Sequence, residues 1–109
     1  MPGRGCAGFE GQDVTTVEAL GGADLNEARL VEANMQEAKC VKTNFSGANL
    51  SDSLLHDADF SRANLLGANL TRCNFSRTDL SEANLSNATL NDADLRQANL
   101  TRADARGTS

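Results

Sequence analysis

The sequence has no tryptophan, no tyrosine, one proline and one histidine. With only four phenylalanines among 109 residues, the rings that usually fill a globular core are scarce, so the interior must be narrow. No stretch approaches the roughly 18 consecutive apolar residues of a membrane span, and the opening MPGRGCAGFEGQ lacks the apolar segment of a secretory leader. The expectation is a cytoplasmic chain with no membrane contact. Three cysteines, Cys6, Cys40 and Cys73, are an odd number without close pairing or a histidine cluster, which predicts reduced thiols and neither a disulfide framework nor a zinc site. Ten Lys and Arg stand against fifteen Asp and Glu, a net charge of −5, which argues against a basic nucleic-acid surface and predicts no direct nucleic-acid binding.

What the sequence does have is a period of five. Leu25, Leu30, Met35, Cys40, Phe45, Leu50, Leu55, Phe60, Leu65, Leu70, Phe75, Leu80, Leu85, Leu90, Leu95 and Leu100 follow one another without a slip, and Ala105 closes the series. Two residues before each stands a small side chain, alanine in thirteen of the seventeen units and Thr43, Ser53, Cys73 or Thr78 in the others. Between the two, Asn or Asp fills thirteen of seventeen places.

Neither the 3.6-residue period of a helix nor the 2.0-residue period of a strand can put all of these apolar residues on one side. The chain must turn within every unit. If each unit forms one side of a square coil, the large apolar residue and the small one two places before it point inward, and three residues face solvent. Four units make a coil of twenty residues, and coils stack at about 4.8 Å, the spacing of paired strands. The columns this creates are uniform, as in Ala28, Ala48, Ala68 and Ala88, or Leu30, Leu50, Leu70 and Leu90. The predicted architecture is an all-β, quadrilateral parallel β-helix, a solenoid of about four coils.

These units resemble the pentapeptide-repeat family, whose consensus A(D/N)LXX is matched by Ala23-Asp24-Leu25 and Ala93-Asp94-Leu95 among others; the resemblance runs from residue 23 to 107. It implies a right-handed coil. Some bacterial members of the family imitate B-form DNA and bind DNA gyrase, protecting it from quinolones or toxins, so modulation of gyrase or another topoisomerase is the alternative to a general protein-interaction or scaffold role.

Residues 1–12 are read as a flexible segment. Residues 13–22 are read as a short capping helix over the first coil, with Val14, Val17 and Leu20 on one face, Asp13 as its cap, and Gly21-Gly22 leading into the repeats. The β-helix then occupies 23–107 and residues 108–109 are a tail. No capping helix is recognisable at the C-terminal side, which points to end-to-end homodimerisation through the C-terminal coil as the partner expectation; any other protein partner is not identified by the sequence.

Nine acids and four bases lie through residue 57, and six of each follow. Stacking by twenty places Glu32 over Asp52 and Glu37 over Asp57, with Glu27 nearby, so these five acids form one candidate interaction surface; Arg72 and Arg77 continue its two columns. Leu54 and Leu66, apolar at outward places, form another candidate contact. His56, beside Asp57 and Asp59, invites an acid–base reading, but on a convex rod it lacks a pocket to hold substrate. The serines have no base beside them, and the aspartates do not cluster as a metal site would require. The expectation is therefore a non-enzymatic chain without a cofactor or metal.

Overall fold

The computed structural model describes Gly22 and residues 24–109. The helix expected at 13–20, its Asp13 cap and the flexible segment before it lie outside the described residues.

Thirteen parallel bridges join residues exactly one coil apart, from Asp24↔Asn44 to Asn84↔Asp104, each with an offset of twenty. The chain is a four-sided parallel β-helix. Its first face carries the bridge residues Asp24, Asn44, Asn64, Asn84 and Asp104; the second Arg29, Asn49, Asn69 and Thr89; the third Asn34, Leu54, Asn74 and Asp94; the fourth Lys39, Asp59, Asp79 and Asn99.

One unit shows why five residues suffice. Asn49 donates its N–H to Ala28 O in the coil before at 2.9 Å, and Leu50 donates to Asn69 O in the coil after at 2.8 Å. Ser51 donates to the Oδ1 of Asn49, its own neighbour two places back, at 3.0 Å. Asp52 donates forward to Thr71 O at 2.9 Å, and Ser53 closes the corner on Leu50 O at 3.2 Å. All five backbone donors of the unit are satisfied, as backbone groups packed away from water require. The recurrent Asn or Asp has a definite task here: its side-chain oxygen captures the one N–H that points along neither ladder.

The corner has a cost that the sequence does not show. The second outward residue of every unit from Glu27 to Gly107 has a positive φ, and fourteen of these seventeen are not glycine, with φ between 57 and 63°. A positive φ at the third residue of a turn, with the N–H of the fourth bonded to the C=O of the first, is the type II pattern. Left-handed backbone costs an L-residue about 1–2 kcal/mol, offset here by the two ladders that each corner keeps in register.

The core holds the expected side chains. All large inward residues from Leu25 to Leu85 are buried. Phe45 and Phe60 stack with ring centroids 5.2 Å apart, and Phe60 meets Phe75 edge-on at 6.3 Å, so three rings from three faces form a short column along the axis. Polar residues at the small inward place are satisfied: Ser53, Cys73 and Thr78 donate to the carbonyls of Leu30, Leu50 and Leu55 at 2.6, 2.8 and 2.6 Å. Cys40 and Cys73 are free, buried thiols, and burial pushes the Cys73 thiol up to about 12 and the Cys40 thiol higher still.

The last coil differs. Leu90 and Leu95 are only partly buried, and Leu100 is 41% exposed. Thr108 and Ser109, expected as a tail, continue the ladder: Ser109 donates to Ala88 O and accepts from Leu90 N–H at 2.8 Å. Beyond them nothing among the described residues pairs with the N–H groups of Leu95 and Leu100 or with the carbonyls of Ala93 and Ala98.

Candidate functional site

The five acids of the candidate surface occupy one corner place on three faces. Glu27, Glu32 and Glu37 belong to the first described coil, and Asp52 and Asp57 stand one coil on. Their column neighbours decide what they offer. Arg72 grips Asp52 with Nε at 2.7 Å and Nη2 at 3.0 Å, and Arg77 grips Asp57 at 2.8 and 3.2 Å. The side-chain hydrogen bonds from these guanidiniums hold both carboxyls below their ordinary range. Glu82 lies between Arg62 at 3.2 Å and Arg102 at 3.6 Å in the fourth-face corner column. The side chain of Glu27 lies over Gly47, its column neighbour. Of these five acids, the ones left uncommitted to arginine are therefore Glu27, Glu32 and Glu37 of the first described coil.

His56 is half-buried, and its Nδ1 is enclosed with no hydrogen-bond partner. The carboxylate next to it, Asp57, is engaged by Arg77 instead, so no His–Asp pair is assembled. Asp59 and Asp79, stacked as expected, spend Oδ1 on the backbone N–H groups of Ser61 and Ser81 at 3.0 and 2.9 Å. An open groove lies between Ser76, Arg77, Arg96 and Gln97. Both guanidiniums beside it are already bidentate to carboxylates, Arg77 to Asp57 and Arg96 to Asp94, and Ser76 Oγ donates to Asn74 Oδ1 at 2.7 Å. The groove brings no nucleophile and base together.

Leu54 and Leu66 both stand outward, each 40% exposed, but on different faces: Leu54 at a bridge position of the third, Leu66 after the inward Leu65 of the first. They do not form one patch. The Asn and Asp column, read from the sequence as satisfying nearby backbone groups, does so, as in the N–H groups of Ser51, Leu66 and Thr71 donating to Asn49, Asn64 and Asn69; what the sequence did not reveal is the unpartnered Nδ1 of His56.

The sequence matches the family model for pentapeptide repeats in eight copies, over residues 19–52, 38–77, 53–92 and 78–109. The chain belongs to the pentapeptide-repeat family. Proteins of this family are right-handed β-helices. Among solved structures, a pentapeptide repeat protein, Rfr23, from the cyanobacterium Cyanothece 51142 is 30% identical with a TM-score of 0.77, over 79% of this chain and 59% of its own. The thylakoid-lumen pentapeptide repeat protein AT2G44920 of Arabidopsis thaliana is 27% identical, TM-score 0.51, over 87% of this chain and 63% of its own. QnrB1, a plasmid-mediated fluoroquinolone resistance protein, shares the fold with 15% identity and a TM-score of 0.58, over 93% of this chain and 61% of its own. The chain thus spans 59–63% of the length of these structures. No curated protein sequence matches it.

Proposed function

We propose that this β-helix is a non-enzymatic interaction module, a rigid rod whose outward side chains are fixed in advance for a protein partner. The observation that supports this most directly is the repeated bond that the backbone N–H two residues on donates to a unit's Asn or Asp oxygen, reinforced where Ser or Thr follows and its hydroxyl donates too, as Thr71 Oγ1 does to Asn69 Oδ1 at 2.7 Å and Ser86 Oγ to Asn84 Oδ1 at 2.6 Å. Side chains held this way lose little freedom on binding, which lowers the cost of association. Among the described residues the interior is filled by its own side chains and leaves no concave, water-excluding site for a substrate. The test is affinity capture with the immobilised chain, followed by direct binding of each captured protein in purified form. Saturable binding of one of them supports the reading, whereas turnover of a small substrate, or no direct binding, contradicts it.

A DNA-like gyrase modulator is the second reading, and the shared fold with QnrB1 is what raises it. Such a mimic has to present a continuous row of negative charge in place of phosphates. Here Arg72 and Arg77 interrupt both acidic columns after two coils and occupy the carboxylates just before them, Asp52 and Asp57. A supercoiling assay with DNA gyrase is expected to show neither inhibition nor protection at stoichiometric concentrations; either effect would replace the first reading with the second.

A further inference from the structure

The charge of the central coils lies on one half of their circumference. From Asn44 to Ser51, and again from Asn64 to Thr71 and from Asn84 to Asn91, the outward places of the first and second faces, up to the next corner, hold no charged residue at all. There are five such places in each of three coils. The remaining corner and the third and fourth faces of the same coils carry the ion pairs described above. The uncharged strip is made of Asn, Ser, Thr and Gly, with one exception. Leu66, 40% exposed, stands in its middle coil.

The hydrogen-bonding state of the strip is legible. The side-chain oxygens of Asn49, Asn64, Asn69 and Asn84 each accept a backbone N–H at 3.0–3.1 Å, which fixes the orientation of every amide and leaves its NH2 group, without an acceptor among the described residues, as the functional end. The hydroxyls of Thr71 and Ser86 spend their protons on those same oxygens and keep lone pairs. Donors and acceptors therefore alternate on one rigid surface. Beside Leu66 the corner is bare at Gly67, where a Cβ would meet nothing, while one coil back the side chain of Glu27 lies over Gly47.

The geometry points to a second copy of this chain as the occupant, packed side by side across a two-fold axis at Leu66; this rests on the reading of the β-helix as an interaction module. Three observations select a copy over a charged partner. A two-fold contact needs a surface complementary to itself, which a mixed field of amide donors and hydroxyl acceptors supplies. A chain of net charge −5 repels itself elsewhere, and this strip lets two copies approach without opposing like charges. Leu66 lies in the central one of the three uncharged coils, so rotation about it sets uncharged coils against uncharged coils in both directions. Size sets the strength: three coils by two faces cover roughly 300 Å2 per copy, well under the roughly 800 Å2 per partner of a stable complex, so the dimer is weak and exchanges quickly.

Single cysteines test the contact in the intact chain with Cys6→Ser, since Cys40 and Cys73 are buried. Under mild oxidation Leu66→Cys should form a covalent dimer at least about tenfold faster than Gln97→Cys on the third-face corner, because only residues close to the axis reach disulfide distance. Equal rates overturn the proposal, and so does faster crosslinking of Leu100→Cys, which would mean that copies meet end to end at the last coil. Sedimentation velocity supplies the second measure. The unmodified chain should associate with rising concentration to the same degree in low and high salt, and Leu66→Asp should abolish this while keeping the circular dichroism spectrum. A chain monomeric at every concentration overturns the self-contact, yet leaves the module reading standing if a captured protein still binds; loss of all binding with the dimer intact does the reverse.

Discussion

Leu80 and Leu100 occupy the same inward place on the same face, one coil apart, yet Leu80 is fully buried and Leu100 is 41% exposed. The local sequence around them is alike, with Thr78-Asp79 before one and Ala98-Asn99 before the other. What differs is the coil ahead. Leu80 donates its N–H to Asn99 O at 2.8 Å and is roofed by the coil to which Asn99 belongs, whereas the described residues put no coil over Leu100. Stability in this architecture is therefore a nearest-neighbour quantity, supplied by the coils before and after more than by the unit itself. The same residue type has two different energetic meanings, and the comparison can be broken or sharpened by mutation.

The largest effect is expected from charging the interior. Leu50 and Leu70 are consecutive members of one buried column, and replacing both by Asp puts two carboxylates where no partner exists. The double variant Leu50→Asp with Leu70→Asp should lose the cooperative β-rich state altogether; a thermal melt with an ordinary sigmoid would contradict the register. A smaller change compares the two ends of the argument directly. Leu80→Ala should cost about 3 kcal/mol, the usual loss for a fully buried leucine, and Leu100→Ala under about 1 kcal/mol, because part of its surface is already in water. Denaturant titrations of the two variants measure both, and equal losses would show that Leu100 is covered in solution.

Much of this was legible in the sequence. The register of the large inward residues, the twenty-residue columns and the placing of Arg72 and Arg77 next to Asp52 and Asp57 in them can all be read from Leu25 onward by counting. The left-handed corner could not be read. Gly47, Gly67 and Gly107 mark it in three units, but Glu, Asp, Arg, Lys, Gln and Asn occupy it elsewhere, since the two ladders force the backbone whatever the side chain. The candidate site was legible as positions and not as chemistry. Counting by twenty finds Glu32 above Asp52, but only geometry shows that Asp52 is spent on Arg72 while Glu27 folds over Gly47.

Leu54 sharpens the comparison from the side of the corner. It stands where most units place Asn or Asp, so the N–H of His56 lacks the side-chain oxygen that neighbouring units supply, as Asn74 does for Ser76 at 2.9 Å. Leu54→Asn should stabilise the chain by about 0.5–1 kcal/mol, the worth of one restored hydrogen bond, and should slow exchange of the His56 amide. No change in either would mean that the bond is incidental to the corner.

The smallest effects separate two kinds of ion pair. Asp94 and Asp104 are held down to about 2, first by side-chain hydrogen bonds from Arg96 and Arg106. Those partners sit two residues away in the same unit, as in Arg96 Nη2 to Asp94 Oδ2 at 2.8 Å. Asp52 is also held low, but by Arg72, one full coil ahead. A carboxyl depressed in the folded state favours folding above its unfolded value, and that contribution is lost as pH falls through the folded value. The sign is common to all three residues, yet linkage counts only the difference from the unfolded chain. A partner two residues away remains close after unfolding, whereas one twenty residues away does not. The last-coil pairs, despite their low carboxyl values, should therefore contribute less to stability than the cross-coil pair. All are exposed at the surface, so salt should screen whatever remains. Arg72→Ala is expected to lower the melting temperature slightly at pH 7, less in high salt and not at all near pH 2, while Arg96→Ala leaves it unchanged throughout. If Arg96→Ala proves the more damaging, the last coil depends on its charged rim, and the nearest-neighbour account drawn from Leu80 and Leu100 fails there.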